Sequence, residues 1–286
     1  MPITHANGID IRYEVLGSGG KLPLVLTHGF AGPMDQWVTE LQPLFKERQV
    51  VMYDVRGHGK TTVPQDVSAY SMPAFAADLA EMLKAIGIER AHIGGVSMGG
   101  MVTAQFAVDY PEMCESVLLC DTTCGNAVGD GPDRDWERTL VNGISALSHI
   151  AAEHGLEETV RRQQEWAGDH DPHLAESPYS AADDYTRIKL MTAEGYIGAA
   201  HAIAQRPDLT ERICAIEAPT LVMAGEWDDF LPCAMRDHEL IRGSRLVVRK
   251  RCAHGSLWRA ETFVSEIVGF LEDVEAGRAM AGEREV

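Results

Sequence analysis

The chain has 286 residues, 45% hydrophobic and 24% charged, enough apolar material for a large two-faced core and too much for a disordered chain. With 25 Lys and Arg against 43 Asp and Glu it carries a formal charge of −18, which argues against nucleic-acid partners and anionic membrane surfaces. No basic stretch leads into an apolar segment at the N-terminus and no run of about 18 apolar residues occurs, so a soluble, cytoplasmic protein is expected.

From the N-terminus, Asn7-Gly8 separates two short runs in which Ile9, Ile11 and Tyr13 alternate with polar residues, the pattern of a β-hairpin. Short continuous apolar runs follow at Leu22–Thr27, Val50–Tyr53, His92–Val96, Val117–Cys120, Leu221–Ala224 and Leu246–Val248. Strands apolar on both faces belong in a parallel sheet covered on both sides. The helical patterns between them, Pro73–Ile86, Met98–Val108 and Ala260–Leu271, supply that cover.

From about Thr122 to Ile216 no convincing strand occurs, and helices are expected at Trp136–Leu147, Leu156–Trp166, Ala181–Thr192 and Gly195–Ala204. The expected architecture is α/β: a mostly parallel central sheet with helices on both faces and an inserted helical cap. Residues 1–121 and 217–274 form the core, 122–216 the cap, and 275–286 a flexible, solvated tail. The six cysteines have neither metal-ligand spacing nor the density of a disulfide scaffold, and are expected to be reduced. Cys114, Cys120 and Cys252 read as core fillers.

Gly95-Val96-Ser97-Met98-Gly99 lies between an apolar strand and a helical pattern. A serine in Gly-x-Ser-x-Gly at such a turn is held in strained backbone with its hydroxyl lifted to a helix N-terminus, where peptide dipoles favour developing negative charge. That marks Ser97 as a nucleophile, and a serine hydroxyl needs a base. Of 11 histidines, His254 follows the last apolar run and sits on a loop at a strand's C-terminal end, where functional groups gather in parallel sheets. An acid to orient it is available from Glu226, Asp228 and Asp229, in the loop opened by Gly225, or from Asp121 at the end of Val117–Cys120. The oxyanion of a tetrahedral intermediate needs two preorganised donors: the backbone N–H of Met98 and that of Phe30 in the turn His28-Gly29-Phe30-Ala31-Gly32. His28 reads as a structural hydrogen-bonding residue.

His28-Gly29-Phe30, Asp54-Val55-Arg56-Gly57-His58-Gly59, Gly95–Gly99, Gly225–Asp228 and Ala253-His254 stand in the order and approximate spacing of the α/β-hydrolase superfamily, which the chain resembles from about residue 3 to 272. The resemblance implies the acid at Asp228, three residues past Gly225, with Asp229 and Glu226 as fallbacks and Asp121 as a rival, since some members draw the acid from that earlier strand. It implies architectural roles for Arg56 and His58. Gly195-Tyr196-Ile197-Gly198, with Asp208-Leu209 before Ala218-Pro219-Thr220, is similar to the end of the cap in 3-oxoadipate enol-lactonases, so the carboxylesterase and enol-lactonase group is the nearest match.

The expected function is hydrolysis of a small-molecule carboxylic ester or lactone through an acyl-enzyme, with no cofactor and no metal. The alternatives are hydrolysis of a carbon–carbon bond in a vinylogous diketone, or a ligand receptor of the same fold with little turnover. A serine at 97 argues against the related dehalogenases and epoxide hydrolases, which use a carboxylate there. Trp136, Trp166, Met191 and Tyr196 of the cap, with Trp227, Phe230 and Trp258, are expected to line an apolar pocket.

Overall fold

The computed structural model describes residues 2–38, 41–127, 130–170, 188–254, 261–278 and 281–286. Asn7 and Gly8, both with positive φ, close a hairpin between β1 (Ile3–Ala6) and β2 (Ile9–Leu16). β2 pairs antiparallel with β4 (Arg48–Tyr53), and every later pairing is parallel, through β3 (Lys21–Thr27), β5 (Ala91–Val96), β6 (Cys114–Cys120), β7 (Thr220–Gly225), β8 (Arg245–Arg249) and β9 (Gly282–Glu285). The order across the described sheet is β1-β2-β4-β3-β5-β6-β7-β8-β9.

The pleat sends alternate residues of these strands to opposite faces, and both faces are apolar. Val25, Val51, Ile93, Val117 and Val222 pack under α1 (Met72–Ala85) and α2 (Met98–Asp109), against Phe75, Leu79, Val102 and Phe106. Leu24, Leu26, Val50, Met52, Leu118 and Met223 face α6 (Glu261–Glu275) and its Phe263, Ile267, Phe270 and Leu271. Removing one such large side chain, as in Phe270→Ala, would cost about 3–5 kcal/mol. α1 starts where Ser71 Oγ accepts the Ala74 N–H at 3.2 Å, with Pro73 in the first turn where no intrahelical donor is needed.

Between β6 and β7 the described residues hold no strand. α3 (Pro132–His170) is broken at Gly155, whose φ of 81° and ψ of 173° are not helical, and this break falls between the two helices expected there. α4 (Ala193–Ala204) is capped by Thr192, whose Oγ1 accepts the Gly195 N–H at 3.1 Å. The expected helix Ala181–Thr192 falls largely outside the described residues. α5 (Leu231–Leu240) follows β7. An ionic network roots α3 in the core: Arg236 of α5 reaches Asp133 at 2.8 Å and Glu137 at 3.1 Å, while Arg134 reaches Glu137 at 2.9 Å and Asp208 at 3.1 Å. Glu137 is fully buried and also accepts from Thr123 Oγ1, so every charge there has a partner.

The C-terminal segment departs from expectation. In place of a free solvated tail from residue 275, α6 runs to Glu275 and residues 282–285 add β9 to the edge of the sheet. Every β9 side chain is exposed, so the pairing is made by the backbone: Val286 N–H donates to Val248 O at 3.0 Å and Lys250 N–H to Val286 O at 2.8 Å. The gain is to cover the open N–H and C=O groups of β8. Deleting residues 279–286 is expected to lower the thermal midpoint, by about 2–4 °C for each kcal/mol lost, and to increase light scattering on heating. An unchanged midpoint and unchanged scattering would show that β9 adds nothing to the sheet.

Candidate active site

Ser97 joins β5 to α2 at φ 55° and ψ −120°, a conformation that costs an L-residue about 1–3 kcal/mol and persists only where its surroundings impose it. Here they do. A Cβ on Gly95 would lie 2.3 Å from the Gly99 carbonyl group, and one on Gly99 would lie 2.1 Å from Thr27 O, so strand and helix cross at a distance only glycine permits. Ser97 N–H donates to Cys120 O at 3.0 Å, and Thr122 Oγ1 donates to Ser97 O at 2.8 Å, pinning the turn from β6. The Ser97 side chain makes no capping bond to α2, so the hydroxyl is left for another partner.

That partner is His254. Its Nε2 lies 3.1 Å from Ser97 Oγ, while Nδ1 lies 3.2 and 3.1 Å from the two carboxylate oxygens of Asp228. With Nδ1–H donating to Asp228, Nε2 is left to accept the serine proton. Asp228 follows β7 in a turn closed by Leu231 N–H donating to Asp228 O, and Phe230 N–H donates to its Oδ1 at 2.9 Å. Burial pushes the Asp228 carboxyl up, but the His254 charge and hydrogen bond outweigh it and hold the group below the usual carboxylate range. Burial likewise pulls His254 down, and Asp228 overrides it, raising the imidazole above its ordinary value.

The other carboxylates from the sequence are arranged differently. Asp229 and Glu226 are exposed, and Glu226 accepts the Arg251 N–H at 2.9 Å. Asp121 is buried directly behind Asp228, so that one oxygen of each and a His254 nitrogen lie within 4.8 Å of one another. It was legible only as a rival acid; its place as a second carboxyl against the first depends on β6 and β7 being neighbours.

Met98 N–H opens α2 and Phe30 N–H lies in the turn after β3, and among the described residues neither donates to a protein acceptor. The Phe30 turn is built by two histidines. Val55 N–H donates to His28 Nε2 at 2.9 Å and His28 Nδ1–H to Gly29 O at 2.8 Å. Ala31 N–H donates to His58 Nε2 at 3.3 Å and His58 Nδ1–H to Arg56 O at 3.2 Å. Arg56 in turn makes a two-pronged pair with Asp78 at 2.8 and 2.6 Å. His28 and His58 thus hold the turn as neutral imidazoles.

The aromatic residues expected to line a pocket divide. Trp136 is half-buried and meets Phe230 edge-on, with centroids 5.5 Å apart; Phe230 stacks on His254 at 4.9 Å. Tyr196 meets Phe30 at a tilt, with centroids 4.6 Å apart, and is 0% exposed, and Phe230 is 2% exposed, so these two are packing rings rather than walls of an open pocket. Both fill space between cap and site loops. Trp227 is half-buried beside Arg251, and Met191 packs with Tyr196 and Ile188. Trp166 lies on α3, and Trp258 lies outside the described residues.

A family model described as the alpha/beta hydrolase fold matches residues 23–149, which include the Phe30 turn, the Asp54–Gly59 loop and the Ser97 turn. The chain has the α/β-hydrolase fold. It is 28% identical over 261 residues to a putative 2-succinyl-6-hydroxy-2,4-cyclohexadiene-1-carboxylate synthase of Bacillus subtilis, covering 88% of this chain and 90% of that one. It is 23% identical to 3-oxoadipate enol-lactonase 1 of Acinetobacter baylyi, covering 96% of this chain and 97% of the relative. Among solved structures, a thermophilic esterase from Thermogutta terrifontis superposes with a TM-score of 0.78 at 25% identity, covering 96% and 98% of the two chains. The enol-lactonase likeness expected from the sequence is therefore present, and hydrolases of this fold are among its relatives.

The histidine pair gives this α/β-hydrolase fold a pH limit. Burial, then the neighbouring His28, pushes His58 down to about 3. The folded state holds His58 neutral while the unfolded chain protonates it below about 6.5, so stability falls as pH drops from 6.5 toward 3. His58→Gln, which keeps an acceptor but no titrating group, should flatten the slope of unfolding free energy against pH across that window. Parallel slopes for the two proteins in denaturant titrations would remove His58 from the linkage.

Proposed function

We propose that the protein is a serine hydrolase of carboxylic esters or lactones, with Ser97 as nucleophile, His254 as base and Asp228 as the acid that orients it. The observation that carries this reading is the continuous hydrogen-bonded line from Ser97 Oγ through His254 to a buried Asp228, beside two backbone N–H groups. His254 Nε2 takes the hydroxyl proton as Ser97 Oγ attacks the carbonyl carbon, and the carbonyl oxygen becomes an oxyanion facing the Phe30 and Met98 amides. Collapse expels the alcohol oxygen, which takes the proton back from His254, and leaves an acyl-Ser97. Water, deprotonated by the same imidazole, then attacks the acyl carbon, and the acid leaves as Ser97 Oγ takes that proton back from His254. The raised affinity of His254 for a proton, set by Asp228, suits a group that must become cationic in each transition state.

Support for the ester and lactone class comes from relatives whose names carry enol-lactonase and esterase activity. A screen of p-nitrophenyl esters of increasing chain length, small lactones and a vinylogous diketone, each beside Ser97→Ala, tests it. Turnover of esters or lactones that vanishes in the variant is the expected result; turnover confined to the diketone would move the reading to carbon–carbon bond hydrolysis.

Ser97→Ala is expected to abolish labelling by a fluorophosphonate, because labelling needs an activated hydroxyl. Persistent labelling would put the nucleophile elsewhere. His254→Ala should cut ester turnover by several orders of magnitude with the fold retained, since the three groups act as a unit. Asp228→Asn should cost roughly 10³–10⁴-fold, the amide favouring the wrong histidine tautomer. Asp229→Asn and Glu226→Gln should cost about tenfold or less, as exposed neighbours of the site. Equal losses at 226, 228 and 229 would dissolve the assignment of Asp228.

A further inference from the structure

Asp121 ends β6 with a left-handed φ of 43° that turns its side chain in between β6 and β7. Its N–H donates to Met223 O at 2.8 Å, and its Oδ1 accepts the Gly225 N–H at 3.1 Å, so one oxygen is tied to the strand that leads into the Asp228 loop. The residue is 0% exposed, and its other oxygen, Oδ2, is buried with no donor among the described residues. The titratable groups facing it are Asp228 from the loop after β7, Cys252 from the loop after β8, and, within 4.8 Å, His254. No cation pairs with it among the described residues other than the imidazole that Asp228 already holds.

An ionised Asp121 would therefore place two carboxylates side by side in a buried site, one of them with a bare oxygen, and such pairs keep one proton between them. Asp228 is the member that stays ionised, because it accepts from His254 Nδ1–H and from the Phe230 N–H, whereas Asp121 has a single amide donor. We propose that Asp121 is a positioning residue: it stands as a neutral carboxylic acid whose Oδ2–H donates to the Asp228 carboxylate, fixing that carboxylate against His254 and drawing off part of its charge. Burial, followed by the Asp228 charge, pushes the Asp121 carboxyl well above the usual range, in keeping with a retained proton.

The inference rests on Asp228 being the partner of His254 in turnover, and two substitutions separate it from simple packing. An amide also donates, so Asp121→Asn should keep turnover within about threefold of the wild type and leave the acid limb of the kcat/KM profile in place. Asp121→Leu keeps the branched outline of the side chain but removes the donor, together with the acceptor for the Gly225 N–H. It should lower kcat by roughly 10–100-fold at unchanged KM, as expected of a misplaced reacting group. It should also move the acid limb upward by roughly half a unit, because an Asp228 relieved of its donor holds the imidazolium more strongly. The proton itself is visible in the resting enzyme: the infrared difference between wild type and Asp121→Asn at neutral pH should contain the C=O stretch of a protonated carboxylic acid.

A missing band, an Asn variant as impaired as the Leu variant, or a Leu variant with an unmoved acid limb would each overturn the proposal. Asp228→Asn measured alongside keeps the two readings apart. If that variant keeps full turnover, Asp228 is not the orienting acid, whatever the spectrum shows. If it is crippled while the band is absent, only the role given to Asp121 fails.

Discussion

The crossing of β5 over α2 is the constraint on which the rest of the site depends. Gly95 and Gly99 allow backbone to lie against backbone, and Ser97 between them has no choice but a positive φ. The strain is met by tertiary bonds from the neighbouring strand, Ser97 N–H to Cys120 O and Thr122 Oγ1 to Ser97 O, so β6 must lie beside β5 before the turn can hold. The apolar layers on both faces of the sheet stabilise that adjacency, and the serine turn draws on it. In return the first amides of α2 have no intrahelical acceptor and face the place where negative charge would form.

The same sheet edge sets the electrostatics. The loops after β3, β6, β7 and β8 meet there, bringing the Phe30 turn, Asp121, Asp228 and His254 together from distant parts of the chain. Within that space protonation is decided by surroundings rather than residue type. Asp228 has the His254 charge and several donors against it and is held below the usual carboxylate range, whereas burial and the neighbouring His28 hold His58 neutral. A third imidazole, His254, has its Nε2 facing the serine hydroxyl.

Much of this was legible in the amino-acid sequence because it is written in local patterns. Buried parallel strands must be apolar on both faces, so β3 to β8 stand out, and the Gly-x-Ser-x-Gly spacing records the strand crossing directly. The choice among Asp121, Glu226, Asp228 and Asp229 is not local. All four follow strand ends, and only the packing of β7 beside β6 tells a buried carboxyl from an exposed one. β9 escaped because its residues, Gly282-Glu283-Arg284-Glu285, carry no apolar face; backbone pairing alone recruits them. Tyr196 and Phe230 read as pocket walls because of the number of aromatic residues around the Ser97 turn, and their ring partners, Phe30 and His254, lie far off in sequence.

Those two ring contacts bear on how the cap can vary. Tyr196 of α4 leans on the turn that offers the Phe30 amide, and Trp136 of α3 leans on the ring stacked against His254. A cap exchanged for another of different shape would change what faces Ser97, but it would inherit the job of wedging these two loops. Grafts between proteins of this fold should therefore succeed or fail at two aromatic seats rather than over the cap's whole footprint, and a graft that left either seat empty would loosen the imidazole or the amide beneath it.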